Sequence, residues 1–401
     1  MIALLRACAL AAGLIATSAP AQVAEQSAND DRDFDLPAED VDDLVGDGGL
    51  DLGDADFTGN PLGRLTAKWP EDLVIAPVPG RSPQFGWQLT LGAGYFLNSQ
   101  TGGGEADSHP SIVGGFGMAS QNGSYAYGAG SYLHLLNDSL RIRTAAAYAD
   151  VRYRYYGVGN AENELGVGIE ILQEMPLYLA SVTYRVWNRL YVGLGYTGGT
   201  VNTRARVVIP NPQLVIPLGD LDIGAWMIPV EYDTRDQEQF PRDGIHVTGR
   251  AMLYSRSSGS DFNAETYKIA GNYYLPVGER NVLASRAVIR WTKGDAPFFL
   301  KSSFGGGTDL RGYPAGRFRD NMMYALQTEY RWHFSERWIF TGFAGVGEVA
   351  RSFGDFGENL LPAGGIGARY LLSKKHRVGL SFDLARGKTG TEYYFGVGEA
   401  F

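Results

Sequence analysis

Cysteine is almost missing from this 401-residue chain. Cys8 is the single copy, so a disulfide framework or a zinc site built on thiolates is excluded. Histidine is scarce too: His109, His134, His246, His333 and His376 are scattered without ligand spacing. Neither H-E-x-x-H nor G-x-S-x-G occurs, so no metal, no cofactor and no catalytic constellation is expected, and the chain reads as a non-enzyme. The string GLGYTG at 193–198 fits G-x-G-x-x-G, but no helical stretch follows and no βαβ unit surrounds it, which removes the nucleotide reading. Nucleic acid is not an expected partner. Long apolar runs are lacking as well, and a helix needs about 20 apolar residues to cross a bilayer. The chain is therefore either soluble or a β-barrel, the other structure that pairs every backbone group in lipid.

What is present starts with MIALLRACALAAGLIATSAPAQ. Arg6 leads into a short apolar run, and Ala19-Pro20-Ala21 supplies the small-x-small step of a cleavable signal peptide, assigned to residues 1–21. Cys8 precedes most of that run, which argues against a lipoprotein. From Val23 to Phe57 Asp and Glu dominate, with Arg32 the sole base. Without this stretch and the signal, the formal charge of -9 becomes slightly positive, so the acidity belongs to the arm. Such a run buries too little apolar surface to offset its ordering entropy, and residues 22–83 are expected to form a disordered periplasmic arm. The arm reads either as a solvating tether or as a docking element for a basic partner, with Val41, Leu44 and Val45 as a short helical stripe.

After Trp69 the texture changes. Segments of about 9 to 15 residues alternate apolar with polar or small residues between turn signals, the signature of a transmembrane barrel. QFGWQLTLGAGYFLN, SYAYGAGSYLHLL, FNAETYKIAGNYYL and WIFTGFAGVGEV are examples. In 378–384, Val378, Leu380, Phe382 and Leu384 share one face, while Gly379, Ser381 and Asp383 share the other. In 393–401, Tyr393, Phe395, Val397 and Phe401 form an outward stripe broken by Glu399. A soluble sandwich also alternates, but it rarely runs so many long, Tyr-rich strands. The spacing predicts five strands after residue 320 and three between 243 and 293. Residues 150–188 hold one long strand or two. The fold class is all-β: an antiparallel transmembrane barrel of about 16 strands over 84–401, with a long loop folded into its lumen and membrane lipid around it.

That loop, roughly 294–320, contains GGGTDLRGYPAG at 305–316, one Arg and one Tyr among five glycines. Connections this long are uncommon unless functional. Glycine lets the chain fold back into the barrel, and a buried guanidinium then needs a carboxylate or a ring face. With Leu310-Arg311-Gly312-Tyr313 stand two further motifs: Asp233-Thr234-Arg235-Asp236 followed by Phe240-Pro241 and Gly244, and a closing stretch with Gly365-Ile366-Gly367-Ala368-Arg369, FDLA at 382–385 and Phe401. In this order and spacing, over about 84–401, they resemble the outer-membrane assembly barrels of the BamA/TamA superfamily.

The resemblance implies that Arg311 enters the lumen and is held by acidic and aromatic groups on the last strands. Glu329 and Asp383 are the candidate carboxylates and Phe343 the candidate ring. Where many members have Phe-x-Asp, this chain reads Phe343-Ala344-Gly345, so the lock is expected either to be weaker or to move to Glu329. The other readings are that Arg311 sits in solvent at a loop tip, or that the lock only stabilises the fold. Asp233, Arg235 and Asp236 look like a charged cluster, but a turn held by Asp side chains, with Pro241 and Gly244 setting the backbone, explains them more simply. Phe401 is the kind of terminal aromatic that outer-membrane assembly machinery reads. The superfamily's periplasmic POTRA modules run to about 75 residues with a β-α-α-β-β pattern, and 22–83 is too short and too acidic for one. Any recruiting function is then absent, taken by the arm, or brought by another protein.

The resemblance implies a bacterial outer-membrane barrel that handles unfolded outer-membrane protein clients, inserting or translocating them. The alternatives are a passive pore for small solutes and a structural barrel whose acidic arm tethers a periplasmic partner.

Overall fold

The computed structural model describes residues 72–97, 111–159, 168–208, 214–237, 240–305, 307–373 and 378–401. The expected signal peptide and the expected arm up to residue 71, including Val41, Leu44 and Val45, lie outside the described residues, as do Cys8, His109 and His376.

Turn residues divide the chain into long strands. They are β1 (Leu73–Ser82), β2 (Gly86–Leu97), β3 (Ser111–Ser120), β4 (Tyr125–Leu135), β5 (Leu140–Tyr155) and β6 (Gly168–Trp187). Next come β7 (Leu190–Val208), β8 (Leu214–Asp233), β9 (Gly244–Tyr254), β10 (Ala264–Val277) and β11 (Asn281–Gly294). The two-residue strands β12 (Ser302–Ser303) and β13 (Arg319–Asp320) pair only with each other, inside the connection to β14 (Met322–His333). The chain finishes with β15 (Trp338–Ala350), β16 (Leu361–Ser373), β17 (Val378–Gly387) and β18 (Gly390–Val397). All but β12 and β13 join a closed antiparallel barrel of 16 strands in which sequence neighbours are spatial neighbours. Closure leaves no open sheet edge, as a bilayer demands.

Period-two side-chain alternation sorts the residues between two solvents. In β14, Met323, Ala325, Gln327, Glu329 and Arg331 are buried toward the lumen, while Leu326, Tyr330 and Trp332 are exposed. The same rule exposes Trp87, Leu89 and Leu91 on β2, and Ile366, Phe382 and Tyr393 on the closing strands. An apolar surface of this extent would drive aggregation in water and is the expected face toward lipid. Trp332, Phe334, Trp338, Phe340 and Tyr370 cluster at one rim, with ring centroids 4.9–6.1 Å apart along the chain of contacts. Amphipathic rings favour that level of a membrane.

The first strand starts at Leu73, so the barrel begins before the expected residue 84, and the end of the presumed arm is strand. Residues 150–188 contain the end of β5 and the whole of β6. Phe401 departs from the expected outward stripe. Gly398 has φ +91°, a left-handed turn, and beyond it the chain leaves the sheet. Phe401 then packs against the inward-facing Tyr274, Val282 and Ala284.

The β11–β14 connection crosses the lumen. Phe299 is buried against Val151, Met175 and Val201 of β5, β6 and β7. Phe304, Leu310, Tyr313 and Phe318 are buried against Val288, Met323, Val349 and Leu361 of β11, β14, β15 and β16. The loop is thus anchored on both walls, by burial that is worth about 1.5–3 kcal/mol for each large apolar side chain.

Candidate functional site

Arg311 and Glu329 are completely buried, at 0% exposure. The alternation of β14 aims Glu329 inward, and the fold-back of the loop brings the guanidinium to it. Arg311 Nη2 donates to Glu329 Oε2 at 2.5 Å and Nη1 to Asp383 Oδ2 at 2.9 Å. Its Cζ lies 3.5 Å from the centre of the Phe343 ring. The Arg311 backbone N–H donates to Gln327 Oε1 at 3.1 Å. The guanidinium therefore meets a charged partner on two edges and a π face on a third side, the arrangement its planar fork favours.

The loop around it is strapped by backbone contacts. The Gly312 N–H donates to the Tyr394 hydroxyl at 3.1 Å. The Tyr313 hydroxyl donates to the Pro362 carbonyl at 2.6 Å and accepts from the Lys388 N–H at 3.0 Å. Leu310 fills space over Gly345, where a Cβ would fall 2.7 Å from Leu310 Cδ1. The position at which the resemblance led to an expected carboxylate is thus the hollow that receives the loop's leucine.

The Asp233–Gly244 segment is a self-contained turn at the same rim as the Trp332–Trp338 aromatics, opposite the end from which the loop enters. Arg235 donates to both oxygens of Asp233, at 2.9 and 2.6 Å, and Asp236 Oδ1 accepts from the Arg242 N–H at 3.0 Å. Thr234 and Ile245 exchange bonds through the Thr234 hydroxyl and backbone, and Pro241 is buried beside Phe240. Gly244 has φ +108°, and a Cβ there would meet the Thr234 carbonyl oxygen at 2.5 Å. Glu231, Asp233 and His246 lie within metal-binding distance of one another. Their oxygens are already engaged: Glu231 accepts from Arg143 at 2.9 Å, and Asp233 is chelated by Arg235.

Residues 218–368 match the model of the Omp85 superfamily domain. That match runs from β8 into β16, the second half of the barrel wall. Among solved structures, the barrel is similar to BamA from Haemophilus ducreyi lacking POTRA domains 1-3, with TM-score 0.58 and 15% identity over 82% of this chain and 70% of that one. CdiB from Escherichia coli gives TM-score 0.55 and 13% identity over 82% and 63% of the two chains. CdiB from Acinetobacter baumannii gives 0.53 and 10%, over 82% and 60%. At these identities the likeness is one of fold, and the chain spans less than two thirds of either CdiB. No curated protein sequence matches.

The barrel brings Arg311, Glu329, Phe343 and Asp383 into one cluster, while the Asp233–Gly244 turn stays apart from it. It also recruits residues that sequence reading had not singled out. Arg331 Nε donates to Glu329 Oε1 at 2.8 Å, and Arg369 Nη1 donates to Asp383 Oδ1 at 2.7 Å. Glu399, beyond the Gly398 turn, accepts from Arg369 Nε at 2.9 Å and lies 3.8 Å from Arg331. Arg331 also donates to the Phe401 carbonyl at 2.9 Å. Three guanidiniums thus face three carboxylates in a dry interior, supplied by the loop, β14, β16, β17 and the tail. The available signal was parity: Glu329 and Arg331 share a face two residues apart, as do Arg369 and Gly367. A second loop anchor was also missed. Asp309 accepts from Arg286 at 2.8 Å and pairs with Arg290. Burial would raise its carboxyl, but the neighbouring Arg290, Arg286 and Lys268 charges outweigh that and hold it below the usual carboxylate range.

Gly312 has φ +106°, and a Cβ there would press on Ala363 Cβ and the Arg386–Gly387 backbone at 3.1 Å. Gly312→Ala is therefore expected to lower the unfolding free energy by about 1–3 kcal/mol, read as a fall in the urea midpoint. Gly342→Ala, with no atom within 4 Å of the added carbon, serves as the control and should stay within about 0.5 kcal/mol of wild type.

Proposed function

We propose that this barrel works in the bacterial outer membrane as a non-enzymatic protein-insertion or translocation factor, exported by its cleavable signal peptide. Its lumenal loop would be fixed by the Arg311 lock, and its clients would enter by strand addition at the β1–β18 seam. The observation that carries this reading is the seam itself. Among the described residues, β1 and β18 are in register at one pair, Arg81 opposite Phe395. The adjoining β17–β18 ladder runs unbroken from Leu380 opposite Val397 to Gly387 opposite Gly390. Few backbone bonds have to break for a client strand to pair along β1 or β18, and edge pairing needs little sequence specificity.

The passive-pore reading fits less well, because the loop spans the lumen from Phe299 to Leu310. The rim of short turns, including Asp233–Gly244, faces the periplasm in this proposal, as short turns do in such barrels. The acidic arm then lies where it could recruit a client or a basic partner, and Phe401 serves as the aromatic that directs the chain's own assembly.

The register supplies the test. Directly opposed residues of an antiparallel pair lie about 4.5–5.5 Å apart at Cα, within disulfide reach. Arg81→Cys with Phe395→Cys should therefore form a bond on oxidation, and Cys8 falls in the cleaved signal. Oxidised protein in liposomes is expected to lose most of its ability to insert an unfolded client barrel, with recovery on reduction. Equal activity in both states would defeat the seam mechanism.

A further inference from the structure

The inner wall carries more positive charge than the lock and the loop engage. Arg250 on β9 stands directly opposite Lys268 on β10, and Lys268 directly opposite Arg290 on β11. Like charges at opposed positions, with Cβ atoms about 5 Å apart, destabilise a sheet. Arg290 is compensated by Asp309. Arg250 and Lys268 make no hydrogen bond or ion pair with any described residue. The carboxylates on this part of the wall are committed elsewhere, Glu231 to Arg143 and Arg141, and Asp309 to Arg286 and Arg290.

The pair opens into space on both sides. One cavity, of about 190 Å³, is also lined by Arg143 and Thr248. The other, of about 80 Å³, is closed by Thr266, Arg290 and the loop segment Leu300–Ser303. Arg286, Arg290 and Lys268 share the single charge of Asp309, and Arg250 has no ion pair; this positive excess, with hydroxyl donors around the space, suits a compact oxyanion. A guanidinium fork can bind two oxygens of a phosphate while the adjacent ammonium meets a third, and the excess of positive charge suits the phosphate's higher charge.

We propose that Arg250 and Lys268 form the centre of a lumenal site for a phosphate group, supplied by a free phosphate or by a lipid headgroup. The site is independent of the Arg311 lock and of any client. Because Ser302 and Ser303 line it, a bound phosphate bridges the barrel wall to the first leg of the loop.

The test uses full-length protein in neutral detergent, titrated with inorganic phosphate at constant ionic strength and followed by calorimetry and melting temperature. Wild type is expected to show saturable binding and stabilisation, and Arg250→Gln with Lys268→Gln to weaken the affinity about tenfold or more. Nanodiscs of phosphatidylcholine with and without phosphatidic acid distinguish the source: stabilisation by phosphatidic acid that the double variant loses assigns the site to a headgroup. No response of wild type to either phosphate form overturns the proposal, and so does a double variant that responds like wild type. Removing opposed like charges should leave the phosphate-free melting temperature equal or higher. A clear fall there would make the pair part of the wall's packing and would also overturn the proposal.

Discussion

Arg311→Ala is expected to lower the unfolding free energy of the barrel by about 3–5 kcal/mol, the usual cost of breaking one side of a buried ion pair. The reason is local. Glu329 keeps Arg331 on Oε1, and Asp383 keeps Arg369, so neither carboxylate is stripped bare. What is lost is charge balance: three carboxylates would face two guanidiniums in a space without water, and the Phe343 ring would lose its cation. Phe343→Leu removes only the ring contact, worth about 2 kcal/mol when desolvated, and should cost less. Arg311→Lys restores the charge but not the fork that serves Glu329 and Asp383 together, so it should recover only part of the loss. Urea midpoints in detergent, with heat-modifiability on gels as a fold check, rank the three variants. An Arg311→Ala barrel as resistant as wild type would mean that the buried network contributes nothing to holding the loop.

The second large effect concerns the lumen. Replacing residues 298–318 by a short Gly-Ser linker removes Phe299 from one wall and Phe304, Leu310, Tyr313 and Phe318 from the other. The strand ladders do not depend on these contacts, so the barrel should still close. Barrels of 16 strands leave an aqueous channel when nothing fills them. In planar bilayers the wild type is expected to show small, flickering currents and the excised variant large, steady, ohmic ones. Equal conductance in the two would mean that the loop does not obstruct the lumen and would restore the pore reading.

The fold was legible because lipid and lumen impose opposite demands on alternate residues, and β14 shows that contrast from Ala325 to Trp332. The loop was legible because a lone Arg among glycines has few structural uses. Other features depended on information that parity does not carry. Arg331, Arg369 and Glu399 obey the inward pattern, but their convergence depends on the stagger between strands, which sequence alternation leaves free. Phe401 obeyed the outward pattern through Val397, and one left-handed glycine, Gly398, then ended the strand and turned it inside. Leu73–Ser82 was hidden by its proximity to the acidic stretch and by Pro77 and Pro79, which read as breakers and are tolerated on a strand with few ladder partners.

The six-membered charge cluster has a consequence for the order in which the chain matures. Its positive groups come from the loop, β14 and β16, whereas Glu399 arrives only after β18 has docked. Until then the interior holds three cations against two anions, and the half-built cylinder has reason to stay hydrated and reversible. Seating the final residues cancels the excess and expels that water. Completion at the last few positions thus commits the whole wall, and a chain stalled just short of Glu399 should remain open to release or repair.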